Sequence, residues 1–205
     1  MNGLLFPNPR SADIMRGMDI LDELRKEVAG CTRCPELVDN RTQTVFGDGT
    51  IEAEVMFVGE APGREEDEKG IPFVGQAGRL MNSAMKEAGI PRSKVYIANT
   101  LKCRPPDNRD PMPEEMENCS AYLAAQIAII KPKIIAPLGR FGLERMVKKG
   151  MKISEVHGRA IRRKDGMIFF PMYHPAAGLH QPKFRQAILT DFKKLAKLLK
   201  REGLL

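Results

Sequence analysis

Short apolar runs alternate with helical patterns along most of this chain. Each run is followed by Gly, Asn or His, which is typical of buried strands that lead into a turn. The four predicted strands cover residues 55–58, 95–98, 134–138 and 168–173. Apolar residues at helical spacing lie between them and again over residues 184–199. This alternation predicts an α/β fold, a three-layer α/β/α sandwich with a central, mainly parallel, four-stranded sheet.

The first 17 residues lack this apolar pattern. They include Pro7, Asn8 and Pro9, and N-terminal segments of this kind are often poorly ordered. We therefore expect a loose N-terminal extension over residues 1–17. A single domain over residues 18–205 would follow, beginning with a helix near Met18.

Polar residues follow three of the predicted strands: Glu60, Asn99 and His174. Each has an ordinary explanation as a solvated carboxylate, a turn amide or a capping imidazole. In a parallel sheet covered by helices, however, ligands bind at the carboxyl ends of the strands, so the three together favour one shared site. Phe73 adds to this expectation, because a bulky aromatic residue in a loop usually has a packing or binding role.

The four cysteines form one close pair and two separate positions: Cys31, Cys34, Cys103 and Cys119. Their spacing matches neither a zinc finger nor a ferredoxin. One alternative is a redox-active C-x-x-C with two unrelated buried thiols, and the other is a single site that uses all four thiolates. The spacing leaves zinc and iron–sulfur chemistry both open.

The charge balance permits a nucleic-acid partner without establishing one. Among 205 residues, 33 are Lys or Arg and 26 are Asp or Glu, which gives a net charge of +7. No apolar run is long enough to span a bilayer, and no leader-like segment is present. We therefore expect a soluble, cytoplasmic protein.

Six short segments, in a fixed order along most of the chain, carry a resemblance to a known family. They are Cys31-Thr-Arg-Cys34, Gly59-Glu-Ala-Pro-Gly63, Gly70-Ile-Pro-Phe-Val-Gly75, Asn99-Thr-Leu-Lys-Cys103-Arg-Pro-Pro, Cys119 and His174-Pro-Ala-Ala177. Together they resemble the family 4 uracil-DNA glycosylases, thermostable iron–sulfur enzymes of archaea and bacteria.

The resemblance implies a DNA repair enzyme. Such an enzyme flips uracil, the deamination product of cytosine, out of single- or double-stranded DNA and hydrolyses its N-glycosidic bond. It releases free uracil and leaves an abasic site for base excision repair. We expect a monomer in a prokaryotic cytoplasm, associated with the nucleoid and not with a membrane, and a replication clamp is a candidate partner.

The resemblance also assigns roles around the flipped base. Phe73 would stack on uracil. Asn99 would read its edge, accepting from N3–H and donating to O4. His174 would donate to O2, a contact that strengthens as negative charge develops on the leaving base.

Other positions would line the same pocket. Glu60, Ala61 and Pro62 match its water side, and Ala61 stands where better-known uracil glycosylases carry Asp. No carboxylate at that position can activate water, so Glu60 is the candidate for orienting it. Glu66 matches a residue that crowds the C5 edge, where thymine carries a methyl group.

The loop over residues 177–183 would contact phosphates and fill the gap that the flipped base leaves. Leu179 is the candidate intercalating residue, by position only. His157 and His180 are interpreted as ordinary loop or surface histidines.

The four cysteines, in this resemblance, are the ligands of a [4Fe-4S] cluster. Hydrolysis needs no donor or acceptor of electrons, so a structural role is expected for the cluster.

Two rival functions remain to be weighed. One is a uracil-DNA binder that traps its product through a basic loop containing a reactive His, but the basic segment over residues 158–166 contains no His. The other is a nucleotide-binding α/β protein with structural zinc, but neither a G-x-G-x-x-G motif nor a P-loop is present. An enzyme that turns over is therefore favoured.

Overall fold

The computed structural model describes residues 9–205, with side chains from Ala12 onward. Within that part of the chain the strands are β1 (Asp48–Gly49), β2 (Val55–Gly59), β3 (Val95–Asn99), β4 (Ile134–Pro137), β5 (Ile161–Arg162) and β6 (Ile168–Phe169). The α-helices are α1 (Pro9–Ala29), α2 (Pro35–Asn40), α3 (Arg64–Lys69), α4 (Gln76–Ala88), α5 (Pro113–Ile130), α6 (Gly139–Met146), α7 (Ile153–Val156), α8 (Ala177–His180) and α9 (Pro182–Arg201). Two 3₁₀ turns, Arg92–Lys94 and Pro106–Asn108, lie before β3 and before α5.

The strands form one mixed sheet in the order β1-β3-β2-β4-β6-β5. The four inner strands, β3, β2, β4 and β6, pair in parallel, as predicted from the four apolar runs. The two edge strands, β1 and β5, pair antiparallel and were not predicted. Each edge strand has only two residues, too few to show any alternation of apolar and polar positions.

The predicted fourth strand is shorter than its apolar run. Regular pairing of β6 ends at Phe169, and one further bridge joins Leu138 to Met172. Pro171 lies in this gap and has no N–H to donate to the sheet. The chain nevertheless stays extended beside β4, because Met172 N donates to Pro137 O at 2.9 Å.

Both faces of the sheet are covered, which confirms the three-layer architecture. On one face, Val55 and Phe57 of β2 pack with residues of α4 and α9. On the other face, Met56 and Val58 pack with residues of α1 and α5. The alternation along β2 therefore buries successive side chains in opposite layers.

Helix α9 separates its apolar and basic residues cleanly. It buries Ile188, Phe192 and Leu195, whereas Lys193 and Lys197 are exposed. Among the described residues, no helix is long and apolar enough to cross a membrane.

The helix expected near Met18 begins earlier, so the expectation of a loose segment up to residue 17 is wrong from residue 9 onward. Helix α1 begins at Pro9, a residue type that suits the first helical position, and residues 1–8 lie outside the described part of the chain. Met15 and Met18 are 62% and 51% exposed, so the first half of α1 buries little of its apolar surface.

Candidate functional site

A cavity of about 210 Å³ opens at the carboxyl ends of the inner strands. All seven residues predicted to surround the base line it: Glu60, Ala61, Pro62, Glu66, Phe73, Asn99 and His174. The remaining lining residues were not predicted: Gly63, Ala77, Pro105, Asn108, Arg109 and Ala176. We refer to this cavity as the base pocket.

The pairing of β2 with β3 brings the first residues of the pocket together. Gly59 is the register partner of Asn99, and Leu101 N donates to Glu60 O at 2.9 Å beyond the strand ends. A Cβ atom at Gly59 would collide with Asn99 Oδ1 and would lie 2.8 Å from the Phe73 ring. Glycine at this position is therefore what allows the amide and the aromatic ring to approach the strand end.

Asn99 places an unsatisfied acceptor in the base pocket. The residue is 2% exposed, and its Oδ1 has no hydrogen-bond partner among the described residues. A buried acceptor without a partner costs about 1–3 kcal/mol, so such atoms are rare unless a ligand satisfies them. The site is built to receive a donor at this atom.

Phe73 lies in the pocket wall in an uncommon backbone conformation. It is 5% exposed, its φ is +55°, and its ring centroid is 5.5 Å from that of His174. Left-handed backbone at an aromatic residue persists only where the surroundings hold it.

Glu66 helps to stabilise this conformation of the Phe73 loop. Its Oε1 accepts from the main-chain N–H groups of Val74 at 2.9 Å and Gly75 at 2.7 Å, directly after Phe73. The sequence shows no signal of this contact, because the intervening turn separates Glu66 from its partners. The predicted role of Glu66 at the C5 edge stays a prediction, and the loop contact is an addition to it.

His174 faces the pocket as a neutral imidazole. Burial lowers the pKa of His174 to about 4. Its Nδ1 accepts from the main-chain N–H of Ala176 at 3.2 Å, so the neutral ring carries its proton on Nε2. The side chain can therefore act as a hydrogen-bond donor without carrying a charge.

Glu60 titrates in a different range. Burial, and to a smaller extent nearby Asp110, raise the pKa of Glu60 to about 7, and Arg140 opposes the shift. Arg140 and Asp110 form an ion pair of 2.6 Å. Sequence reasoning missed both neighbours, since they lie in a turn-rich loop and in α6, far from Glu60 in the chain.

The pocket mouth includes the loop before α5. Asp107 and Asn108 both have positive φ, and Arg109 is held by Glu115 at 2.6 Å and Glu36 at 2.9 Å. Because Glu36 belongs to α2, next to Cys34, Arg109 connects the base pocket to the segment that carries the first cysteine pair.

The four predicted ligand cysteines line one second cavity, behind the pocket: Cys31, Cys34, Cys103 and Cys119. All four thiols are free, so none of them is in a disulfide. Arg41 Nη1 donates to Cys103 Sγ at 3.0 Å, and Asn118 Nδ2 lies 3.6 Å from Cys34 Sγ. As the side chains stand, no group of three or more potential ligands among the described residues has the geometry of a metal-ion site.

Comparison with known proteins decides the family. A family model described as the uracil DNA glycosylase superfamily matches residues 46–196. The chain belongs to the uracil DNA glycosylase superfamily. This finding confirms the resemblance that the six sequence segments indicated.

Three relatives in this superfamily are Type-4 uracil-DNA glycosylases. The chain is 45% identical to the protein of Sulfurisphaera tokodaii over 189 residues, which cover 88% of this chain and 86% of that protein. It is 41% identical to the protein of Archaeoglobus fulgidus over 192 residues, covering 88% and 94%. It is 42% identical to the protein of Thermotoga maritima over 188 residues, covering 90% and 97%.

The predicted intercalating residue lies outside the base pocket of this superfamily member. Leu179 is on α8 and is 36% exposed, and His180 beside it is exposed. His157, in contrast, is partly buried. Its Nδ1 lies 2.8 Å from Oδ2 of the fully buried Asp191, and its ring is 4.3 Å from that of Tyr173. His157 therefore supports the strand end that precedes His174.

The contact of Glu66 with the Phe73 loop generates a prediction. Glu66→Ala should raise the hydrogen-exchange rates of the Val74 and Gly75 amides by about tenfold to a hundredfold, because each loses a charge-assisted hydrogen bond of about 1.5–3 kcal/mol. Glu66→Gln is the matched control, since it keeps an oxygen acceptor in the same place and should preserve most of the protection. Unchanged exchange in the alanine variant would show that the carboxylate does not hold this loop.

Proposed function

We propose that this protein is a uracil-DNA glycosylase that flips uracil out of DNA and hydrolyses its N-glycosidic bond. Free uracil leaves, and the abasic site enters base excision repair. Membership of the superfamily and the names of the Type-4 relatives support this proposal. The observation that carries it is the buried, unsatisfied Oδ1 of Asn99 in a pocket that also holds an aromatic ring and a neutral histidine.

Base recognition rests on complementary donors and acceptors. Uracil offers N3–H as a donor and O4 as an acceptor, which match the carbonyl and the amino group of the Asn99 side chain. Cytosine offers the reverse pattern at both positions. Stacking on Phe73 offsets part of the few kcal/mol that unstacking the nucleotide costs.

Bond cleavage rests on the leaving base. The N-glycosidic bond breaks toward an oxocarbenium-like sugar and a uracil anion, and negative charge collects at O2. The Nε2–H of neutral His174 is the donor that would meet this charge, in a site whose burial strengthens the interaction. Because the contact strengthens as the charge develops, it lowers the barrier and does not merely tighten binding.

Glu60, Ala61 and Pro62 line the pocket, and in the proposed arrangement they would form its water side. Ala61 provides no carboxylate, so Glu60 is the group that would orient the attacking water through its own side chain. Its raised pKa places the change from neutral to ionised carboxyl near neutral pH. The ionised form is the better acceptor for a water proton.

The DNA contacts of this proposal lie around α8 and the start of α9. Leu179 is the candidate intercalating residue, and exposed Lys183 and Arg185 would contact phosphates of single- or double-stranded DNA. The protein would act as a monomer on the nucleoid of a prokaryotic cytoplasm. A replication clamp is a candidate partner.

We further propose that Cys31, Cys34, Cys103 and Cys119 hold a [4Fe-4S] cluster of structural role. Four thiols that line one cavity, with Arg41 and Asn118 donating toward two of the sulfurs, suit an anionic tetrathiolate group. When bound, the cluster would crosslink the segment around α2 to the segments around residue 103 and in α5.

Turnover is favoured over covalent trapping of the product. The segment over residues 158–166 includes β5 and exposes Arg159, Arg162 and Arg163, but it contains no histidine. The neighbouring His157 has its Nδ1 engaged by Asp191.

Replacement of the base-reading amide tests the proposed function. Asn99→Asp should slow single-turnover uracil release, because an ionised carboxylate opposes the developing base anion, and it should permit weak release of cytosine through the protonated carboxyl. The measurement is single-turnover excision from matched U- and C-containing single strands.

Asn108→Asp is the control for this experiment, since it adds the same charge at the pocket mouth without facing the base edge in the proposed arrangement. Full uracil activity together with full rejection of cytosine in Asn99→Asp would show that Asn99 does not read the base.

The two titrating groups give a pH prediction. His174, with a pKa of about 4, is neutral throughout the neutral range, so it causes no change near pH 7. Glu60 ionises as the pH rises through about 7, and the single-turnover rate should rise with it and then level off. Glu60→Gln should lower the rate and remove this rise.

Variants of the neighbouring ion pair provide the control for that assignment. Asp110 raises the pKa of Glu60 and Arg140 lowers it, so Asp110→Asn should move the rise to lower pH and Arg140→Ala to higher pH. A profile that stays at the same pH in both variants would assign the rise to another group.

The cluster has its own test. Anaerobically purified protein should be yellow-brown, absorb broadly near roughly 400 nm and contain about four irons per chain. Cys34→Ser should lower the thermal unfolding midpoint more than it lowers the activity of each folded molecule. Stoichiometric zinc in a colourless preparation would contradict the assignment.

A further inference from the structure

Lys102 lies between the two cavities and is almost completely buried. It is 1% exposed, immediately precedes Cys103, and lines the cysteine cavity. Its Nζ donates to the main-chain O of Asn99 at 3.0 Å and to Oε1 of Gln126 at 2.7 Å. A single side chain therefore reaches from the cysteine segment to the residue that carries the unsatisfied acceptor of the base pocket.

The ammonium group is stabilised by neutral oxygens alone. Both hydrogen-bond acceptors are uncharged, and among the residues whose side chains are described no carboxylate lies within ion-pair distance of Lys102. A buried charge without an opposite charge is costly. Negative charge on the sulfurs of Cys103 and Cys119 would attract the ammonium of Lys102, and the backbone of Lys102 also donates a hydrogen bond to Cys119.

Gln126 fixes the other side of this contact. Its Nε2 donates to Phe46 O at 2.8 Å and to the Tyr96 hydroxyl at 3.1 Å, which commits its Oε1 to Lys102. Because Gln126 is itself fully buried, the oxygen that accepts from the Lys102 ammonium is held in a fixed position. The ammonium therefore lies between two acceptors, the main-chain O of Asn99 and the fixed amide oxygen of Gln126.

We infer that Lys102 is a positioning residue that couples the cysteine cavity to the base pocket. Its ammonium fixes the main chain of Asn99, and so the direction of Oδ1, while anionic sulfur ligands at Cys103 and Cys119 compensate its charge. The inference rests on the proposed function, because it gives Asn99 the task of reading the base and the cysteines the task of holding a cluster. Loss of the cluster would leave a buried cation without compensation and would loosen Asn99.

The first experiment compares Lys102→Met with Tyr96→Phe. Both remove a polar group from the same buried network, but only Lys102 contacts Asn99. Binding is measured to DNA with a hydrolysis-resistant 2′-fluorinated deoxyuridine and to the same DNA with a tetrahydrofuran abasic analogue. Lys102→Met should lose about tenfold of the preference for the uracil DNA, as expected for one hydrogen bond, and keep its affinity for the abasic DNA.

Tyr96→Phe should keep both affinities, even where it lowers the thermal unfolding midpoint. A merely structural role for Lys102 would weaken both DNA affinities together or leave both unchanged. Either outcome, or an equal loss of preference in Tyr96→Phe, would overturn the inference.

The second experiment uses the wild-type protein and does not depend on a variant that folds. Hydrogen exchange is compared before and after removal of iron by an oxidant and a chelator. Amides of residues 99–101 should exchange faster in the iron-free protein, while those of residues 73–75, on the other wall of the pocket, should change little. Unchanged exchange at residues 99–101 would overturn the coupling even where Lys102→Met does not fold.

The two experiments also separate failure of the inference from failure of the proposed function. Wild-type protein without a preference for uracil over abasic DNA would disprove the base-reading role, and exchange would still test the coupling. Wild-type protein without iron would disprove the cluster, and the binding comparison would still test Lys102. Protein that lacks both properties would overturn the inference together with the proposed function.

Discussion

The parallel pairing of β2 with β3 determines where the groups of the base pocket can lie. It sets Gly59 opposite Asn99, and the missing side chain of Gly59 leaves room for both the amide and the Phe73 ring. Any larger residue at Gly59 would have to displace one of them. The main chain beyond the strands continues the pairing through Glu60, so the position of Glu60 depends on the same register. A slip of the register by one residue would turn Asn99 toward the opposite face of the sheet.

Burial shifts the pKa values of two titratable groups in the pocket in opposite directions. It lowers the pKa of His174 and raises that of Glu60, and in each case the neutral form is favoured because the charged form loses solvation. A neutral donor and a carboxyl that ionises near neutrality are thus available in one pocket. Of the two groups, only Glu60 has its pKa shifted by a nearby ion pair, that of Asp110 and Arg140. Changes in that ion pair can therefore move the pKa of Glu60.

The sequence pattern could predict those parts of the structure that depend on local signals. Apolar runs identified the four parallel strands. The polar residues after them, such as Asn99 and His174, lie at one edge of the sheet, because the carboxyl ends of parallel strands meet at the same edge. The two-residue edge strands and the start of α1 at Pro9 carry no periodicity and were missed or misplaced. Contacts between segments distant in the chain, such as Arg109 with Glu36, left no signal in spacing or composition.

In the proposed mechanism, discrimination between uracil and cytosine depends on how rigidly the pocket holds the amide of Asn99. Two mismatched buried contacts at roughly 1–3 kcal/mol each correspond to a preference of about 30-fold to 10⁴-fold. That preference exists only if Asn99 cannot rotate its amide or shift its backbone to suit the wrong base. The Phe73 ring bounds the space beside the amide, and Gly59 permits the amide to approach the strand end. The main-chain carbonyl of Asn99 accepts from the buried ammonium of Lys102. In the proposed mechanism the cost of burying Lys102 is a cost of specificity, because its ammonium holds the main chain of the residue that would distinguish the two bases.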